Sequence, residues 1–193
     1  MPAVPKHRQP ITDAAVLLFR RQGYAGTGLN EIVAASGAPK GSLYHYFPEG
    51  KASIAAAAVD EAGRRVAATL EKLARECRCT GELLKAHARL LSGWMTKSGF
   101  RDGCPITTVL LERAPKDRGV AEAGRKAYAA RIRILRDKLL TDGFSEPRSE
   151  RLAVLLTSAL QGALIQARVE RSGAPIETAA AELARLLETA SVG

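Results

Sequence analysis

Three absences bound what this chain can be. After Thr80 no β-branched run with period two occurs, so every periodic segment there predicts a helix instead of a strand. No apolar run reaches the roughly 20 residues that a membrane-spanning helix requires. No signal-peptide pattern opens the chain. We therefore expect a cytoplasmic, all-α protein with no membrane partner.

Cysteine is also scarce, and this argues against a disulfide framework, a metal site and an enzyme. Cys77, Cys79 and Cys104 form no even set, and Cys-x-Cys alone is a poor metal motif. No glycine-rich phosphate loop occurs. The one nucleophile–base pair, Cys104 with His87, has no third orienting group in a recognisable motif. We expect reduced thiols, no metal, no cofactor and no catalysis. Redox sensing through Cys104 stays open as an alternative.

The overall charge favours a polyanionic partner but does not locate it. The net charge is +9 and the pI is about 9.8, values that suit nucleic-acid binding. Residues 1–51 carry +3 and the remainder carries +6, so the charge is not concentrated in one part of the chain. Placed residues, and not bulk charge, must therefore identify the binding surface.

The segment from Gly23 to Lys51 has the pattern of two short helices joined by a tight turn. Gly37 allows the left-handed backbone that ends a helix, and Pro39 sets φ for the next helix. This geometry is typical of a helix-turn-helix, whose second helix lies in the major groove of DNA.

The second of these helices has one inner and one outer face. At 100° per residue Leu43 and Phe47 fall together and predict the core side. Gly41 lies on the opposite side. Glycine within a helix costs about 0.5–1 kcal/mol of stability relative to alanine, and its presence here suits close approach of a base or sugar. The predicted DNA contacts are Thr27, which is also the expected N-cap of the preceding helix, Lys40, Gly41, Ser42, Tyr44, His45, Tyr46 and Lys51. A basic arm covers residues 1–9, and in it Lys6, His7 and Arg8 are candidates for contacts with the DNA backbone.

These residues resemble the N-terminal DNA-binding domain of the TetR/AcrR family of bacterial transcriptional repressors. The matching positions are Ile11, Ala15, Leu18, Phe19, Gly23, Tyr24, Thr27, Ile32, Ala35, Ser36, Gly37, Lys40 to Phe47 and Lys51. The resemblance covers about the first quarter of the chain. It implies a repressor that leaves its palindromic double-stranded DNA operator when a small hydrophobic effector binds.

Two positions depart from the common family pattern. Pro39 stands where relatives often have a capping serine, and the turn from Phe47 to Lys51 is longer by about a residue. The longer turn is similar to the turn in a branch of the family that is linked to multidrug and flavonoid-type efflux operons.

The periodic pattern predicts about nine helices in two domains. A helix-turn-helix domain takes residues 1–51, and a ligand-binding and dimerisation domain takes residues 52–193. The predicted helices are 10–22, 28–35, 39–47, 50–76, 81–98, 105–112, 117–140, 146–171 and 175–189.

The eighth predicted helix indicates a homodimer. From Ala153 to Ala167 it carries no charge on any face, and a helix that is apolar all round is expected to be buried all round. A second copy of helices eight and nine would cover one side as a four-helix bundle, and the family resemblance implies the same arrangement. A wholly intramolecular core helix is the alternative. The predicted interface residues are Leu152, Leu155, Ala159, Gly162, Ala163, Gln166, Leu183 and Leu187.

The larger domain also has candidate effector contacts. A drug-sized ligand is usually held by apolar side chains with a few polar anchors. Of the candidates in this chain, Trp94 and Tyr128 are favoured, because each has a polar tip that needs a partner when buried. The candidates are Trp94, Met95, Phe100, Cys104, Thr107, Leu110, Tyr128, Ile132, Leu156 and Gln161. A DNA-binding regulator without any effector is the alternative, and a filled interior would favour it.

Overall fold

A computed structural model describes residues 6–190, and in this part of the chain the regular elements are all helices, without strands. The nine helices are α1 (Arg8–Gln22), α2 (Leu29–Ser36), α3 (Lys40–Tyr46), α4 (Lys51–Glu76), α5 (Thr80–Lys97), α6 (Pro105–Arg113), α7 (Arg118–Thr141), α8 (Glu146–Glu170) and α9 (Ala174–Ala190). The predicted all-α fold is confirmed, and every predicted helix boundary lies within two residues of the observed one.

The chain packs as two compact units. The first unit contains the chain up to Arg64 together with residues 104–127, and the second contains residues 65–103 together with the chain from Tyr128 onward. This grouping differs from the predicted domains 1–51 and 52–193, because α6 packs on α1 in the first unit. The functional division into two domains stays a prediction.

Helices α1 to α3 bury one face each in the core of the first unit. Ile11, Ala15 and Phe19 repeat every four residues along α1 and are fully buried, as expected for the inner stripe of an amphipathic helix. Ile32 from α2 and Leu43 from α3 are also fully buried. Five residues from three helices thus form the support on which α3 lies.

In the second unit, α5, α8 and α9 pack against one another around an apolar core. A buried ion pair joins the end of α7 to the start of α5. The Lys138 ammonium lies 3.2 Å from Asp142 Oδ1 and donates to the Arg78 carbonyl at 2.8 Å. Asp142 Oδ2 accepts from the Thr80 amide at 2.6 Å. These bonds hold the end of α7 beside the start of α5.

Helix α8 is less buried than its composition predicts. By length and composition α8 could cross a membrane, but buried helices of soluble proteins meet the same criterion. In its most apolar 18-residue stretch, 44% of the residues are buried. The rest leaves Val154, Leu155, Ile165 and Val169 about half exposed or more. Burial on every side is therefore not achieved within one copy of the chain.

Candidate nucleic-acid interface

The turn between α2 and α3 has the backbone that the sequence predicts. Gly37 has φ +64° in the left-handed region, and a side chain there would meet no atom within 4 Å. The backbone conformation, and not lack of space, therefore selects glycine. Pro39 is the N-cap of α3 and makes no side-chain capping bond, while its carbonyl accepts from the Ser42 amide at 2.9 Å.

Helix α3 presents the predicted outer face to solvent. Leu43 is fully buried and Phe47 is nearly so, whereas Tyr44 is 50% exposed. Lys40, Gly41 and His45 are also exposed, and Ser42 and Tyr46 are half-buried. A Cβ built on Gly41 would meet no protein atom within 4 Å. The fold itself therefore does not require glycine here, and the space beside the backbone is open to a partner.

Tyr24 gathers two cations at the edge of the first unit. The Lys51 ammonium lies 4.3 Å from the centre of the Tyr24 ring, and the Arg113 guanidinium lies 4.8 Å from it. Burial lowers the pKa of Lys51, and Arg113 adds to this effect while the carboxylates of Glu112 and Glu31 oppose it. The ring holds the Lys51 cation close to the start of α4.

A carboxylate from α6 fixes the loop that precedes α2. Glu112 Oε1 accepts from the Tyr24 amide at 2.8 Å, and Oε2 accepts from the Ala25 amide at 2.7 Å. On the same helix, Thr108 Oγ1 donates to the Phe19 carbonyl at 3.1 Å. We call the Glu112 pair of bonds the Glu112 clasp. Sequence reasoning missed it, because its partners are 87 and 88 residues apart and no local pattern links them.

The clasp also explains a glycine in the loop. Gly23 has φ +76° and ψ 178°, a region that residues with a side chain rarely adopt. A Cβ at this position would lie 2.5 Å from Glu112 Oε1. Gly23 is therefore selected both by its backbone and by the carboxylate that approaches it.

Two predicted features of this region need correction. Thr27 is fully buried and its hydroxyl donates to the Gly23 carbonyl at 2.7 Å, so the prediction of a phosphate contact from this hydroxyl is wrong. It is also not the N-cap of α2. Gly28 takes that place, and its amide donates to Glu31 Oε2 at 2.6 Å.

Helix α1 begins within the predicted basic arm. Arg8 is the first residue of α1, and its guanidinium lies 5.6 Å from the centre of the Phe47 ring. Lys6 is exposed and His7 is half-buried, immediately before the helix. The rest of the predicted arm, residues 1–5, lies outside the described residues.

The predicted effector contacts fall in both compact units. Cys104, Thr107 and Leu110 belong to the first unit, and the other seven belong to the second. Trp94 is 44% exposed, so the reason for favouring it, a polar tip that needs a partner when buried, does not apply in this structure. The pocket as a whole stays a prediction. Apart from these residues, a groove of about 310 Å³ lies between α4 and α5, lined by Thr69, Lys72, Leu73, Glu76, Ala86, Arg89 and Leu90.

The second unit also buries a histidine and an arginine that no predicted binding site includes. His87 on α5 and Arg131 on α7 are 5% and 8% exposed. Burial lowers the pKa of His87 to about 4, with a further contribution from the Arg131 cation, so the imidazole is neutral at physiological pH. His87 and Cys104, the nucleophile–base pair considered from the sequence, belong to different units: His87 to the second and Cys104 to the first.

The predicted dimer interface includes both covered and open positions. Leu152, Ala163 and Leu187 are buried in the core of the second unit, so they are not available to a partner. The other five predicted residues, Leu155, Ala159, Gly162, Gln166 and Leu183, are half-buried or exposed.

The outer side of α8 is a continuous strip with helical spacing. We call it the α8 strip. Its members are uncharged and exposed, and they recur every three or four residues: Val154, Leu155, Ser158, Gly162, Ile165, Gln166 and Val169. Leu186 on the adjacent helix α9 is 45% exposed. Such an apolar strip is a typical protein–protein contact surface.

Comparison with known proteins gives matches along most of the chain. Residues 11–58 match the model for bacterial regulatory proteins of the tetR family, and residues 80–182 match the C-terminal domain model of LmrA/YxaF-like transcriptional regulators. An HTH-type transcriptional regulator from Mycobacterium tuberculosis is 35% identical over 185 residues, covering 93% of each chain. The HTH-type transcriptional regulator LmrA from Bacillus subtilis is 31% identical over 169 residues, covering 88% of this chain and 90% of LmrA.

Solved structures share the fold. The regulatory protein TetR from Rhodobacter sphaeroides superposes with a TM-score of 0.81 at 22% identity, covering 93% of this chain and 97% of that one. Escherichia coli NemR in its reduced form gives a TM-score of 0.74 at 22% identity, with 92% and 95% covered. By sequence, the HTH-type transcriptional repressor NemR from Escherichia coli K12 is 27% identical over 188 residues.

Proposed function

We propose that this chain, which belongs to the TetR family of bacterial transcriptional regulators, acts in the cytoplasm as a homodimeric repressor that a small hydrophobic effector releases from a near-palindromic operator. Its relatives are transcriptional regulators, and one of them, NemR, is named a repressor. The observation that carries the proposal is the outer face of α3, where Gly41 and Tyr44 are open to solvent while Leu43 and Phe47 form the core side.

On this proposal the residues of α3 and the first residue of α4 divide into two roles. Gly41, Ser42 and His45 meet base edges, since they face away from the core on a helix that enters the major groove. Tyr44 and Tyr46 contact phosphates through their hydroxyl groups, and Lys40 and Lys51 contact them as cations. Each phosphate that is neutralised releases counterions, so operator affinity falls steeply as salt rises.

The α8 strip supports a dimer. Val154, Leu155, Ile165 and Val169 expose large apolar side chains on one side of one helix. Burying a fully exposed side chain of this kind gains about 1.5–3 kcal/mol, and these residues, which are already partly covered, gain roughly half of that each. A two-fold axis that pairs the strip with its copy presents two α3 helices. Successive major grooves on one face of DNA are about 34–36 Å apart, which sets the spacing of the two half-sites.

The Glu112 clasp supports a route from effector to DNA. Helix α6 holds the backbone at Tyr24 and Ala25 directly before α2. An effector that displaces α6 would loosen this loop and with it the position of α2 and α3. The proposal therefore assigns α6 as the element that transmits effector binding to the recognition helix.

A mobility-shift assay on the DNA immediately upstream of the gene tests the proposal. We expect Tyr44→Ala and His45→Ala to bind at least about tenfold more weakly, since each removes a DNA contact worth about 1–3 kcal/mol. Lys116→Ala is the control, because this exposed cation follows α6 and is not among the predicted DNA contacts. Unchanged affinity in both α3 variants would contradict the assignment of α3.

Two alternatives keep the DNA-binding surface and change the signal. In a regulator without an effector, no small molecule shifts the unfolding temperature or the operator affinity. In a redox sensor, oxidant would release the operator from the wild type and not from Cys104→Ser. Cys104 is the N-cap residue of α6, so a modification there would act on the helix that carries the clasp.

A further inference from the structure

The second unit contains a buried cation without an anion. Arg131 is 8% exposed, and its Nε–H has no hydrogen-bond acceptor. Within the described residues no carboxylate lies within 4.0 Å of its guanidinium, although Arg133, two residues later, pairs with both Glu71 and Asp137. A buried charge normally has a partner, because removing an ion from water is costly.

The groups beside Arg131 do not compensate its charge. The Tyr128 ring lies 5.7 Å from the guanidinium carbon, on the preceding turn of α7. His87 faces it from α5 and is kept neutral at physiological pH, because burial and the Arg131 cation lower its pKa to about 4. The local potential is therefore positive, and the unused donor belongs to the planar fork with which arginine binds carboxylates in pairs of hydrogen bonds.

Two apolar core residues share the helical faces of His87 and Arg131. Leu84 lies three residues before His87 on α5, and Leu135 lies four residues after Arg131 on α7, so each is on the same helical face as its polar neighbour. Both are fully buried or nearly so and belong to the core of the second unit. Thr157, on α8 in the same unit, is a further buried hydroxyl without a partner. A ligand suited to this environment has an apolar body and one acidic group.

We propose that Arg131, with His87 and Tyr128 beside it, is the binding site for a carboxylate of the effector, so that this regulator responds to apolar carboxylic acids and not to neutral molecules of the same shape. This inference rests on the proposed effector-dependent function and specifies its ligand class. Arg131 makes the paired hydrogen bonds, Tyr128 stacks beside the charge, and the neutral His87 adds no second positive charge.

Calorimetry on the full-length wild type with matched acid and amide pairs tests the ligand class. The probes are benzoate, 2-naphthoate and 4-phenylbenzoate, each beside its carboxamide, together with sodium chloride and phosphate. We expect at least one acid to bind at least about tenfold more tightly than its amide, the difference that a charged hydrogen bond supplies. Equal binding of acids and amides, or no binding by any acid, overturns the inference. An equal effect of the inorganic ions alone also overturns it, since the site is then only an anion site.

Variants of Arg131 test the residue. Arg131→Met, and Arg131→Gln as a second variant, are expected to lose at least about tenfold in acid affinity. Arg133→Met is the matched control, because this arginine on the same helix is exposed and already paired, and it should bind acids like the wild type. The unfolding temperature of Arg131→Met without ligand should stay the same or rise, since a buried unpaired charge is removed. A clear fall would mean that Arg131 is a structural residue and would overturn the inference.

The operator assay separates failure of this inference from failure of the proposed function. Arg131→Met should retain wild-type operator affinity and should not release the operator when the acid is added. If a neutral molecule releases the operator equally from wild type and Arg131→Met, the inference fails while the proposed repressor stands. If the wild type binds no upstream DNA, the proposed function fails, and the acid-binding result decides the site by itself.

Discussion

Replacing Glu112 by alanine removes both bonds of the clasp at once. The carboxylate accepts from the Tyr24 and Ala25 amides at 2.8 and 2.7 Å, and a hydrogen bond to a charged group contributes about 1.5–3 kcal/mol. Because both bonds are exposed to solvent, we take the low end for the pair together, about 2 kcal/mol. Local opening of the loop then becomes about 30-fold more frequent, since each 1.4 kcal/mol is a factor of ten.

Amide hydrogen exchange measures this opening at single residues. In Glu112→Ala the Tyr24 and Ala25 amides should exchange about 30-fold faster, and the thermal midpoint should fall by about 4–8 °C. Glu122→Ala is the control, because its exposed carboxylate pairs with Arg125 of its own helix and its loss should leave both amides unchanged. Unchanged exchange of Tyr24 and Ala25 in Glu112→Ala would refute the clasp and the role of α6 derived from it.

Three further predictions concern other parts of the molecule. Gly41→Ala should leave the free protein as stable or up to about 1 kcal/mol more stable, because a Cβ meets no protein atom there. The same change should weaken operator binding at least about tenfold. Unimpaired binding would mean that no base or sugar approaches Gly41. Leu155→Glu should give monomers by sedimentation equilibrium, while Leu111→Glu, at a leucine that is 74% exposed on α6, should stay dimeric; a dimeric Leu155→Glu would argue against the α8 strip. Because the folded pKa of His87 is lowered from 6.5 to about 4, its contribution to stability is complete above pH 6.5 and is lost as the pH falls towards 4, by about 3 kcal/mol. Denaturant unfolding of His87→Gln at these two pH values should show a smaller pH dependence than the wild type, and an identical dependence would contradict the assignment.

Sequence patterns predicted features that depend on residues close in the chain. Each helix boundary was correct within two residues, because apolar periodicity, glycine and proline act over one or two turns. The inner face of α3 followed from Leu43 and Phe47 for the same reason. A local signal for Arg131 was also present, since it lies three residues after Tyr128 and four before Leu135 and so shares their helical face, but sequence reasoning did not select it.

The all-helical fold and the outward face of α3 were determined by the sequence alone, since both depend on repeats within single helices. Only the tertiary structure decided that Glu112 holds the loop at Tyr24, that the Thr27 hydroxyl is used inside that loop, and that Arg131 and His87 share a buried environment. It also decided which side of α8 the chain covers with its own core. These features join residues that are far apart in the chain, and no local pattern specifies which distant helix faces which.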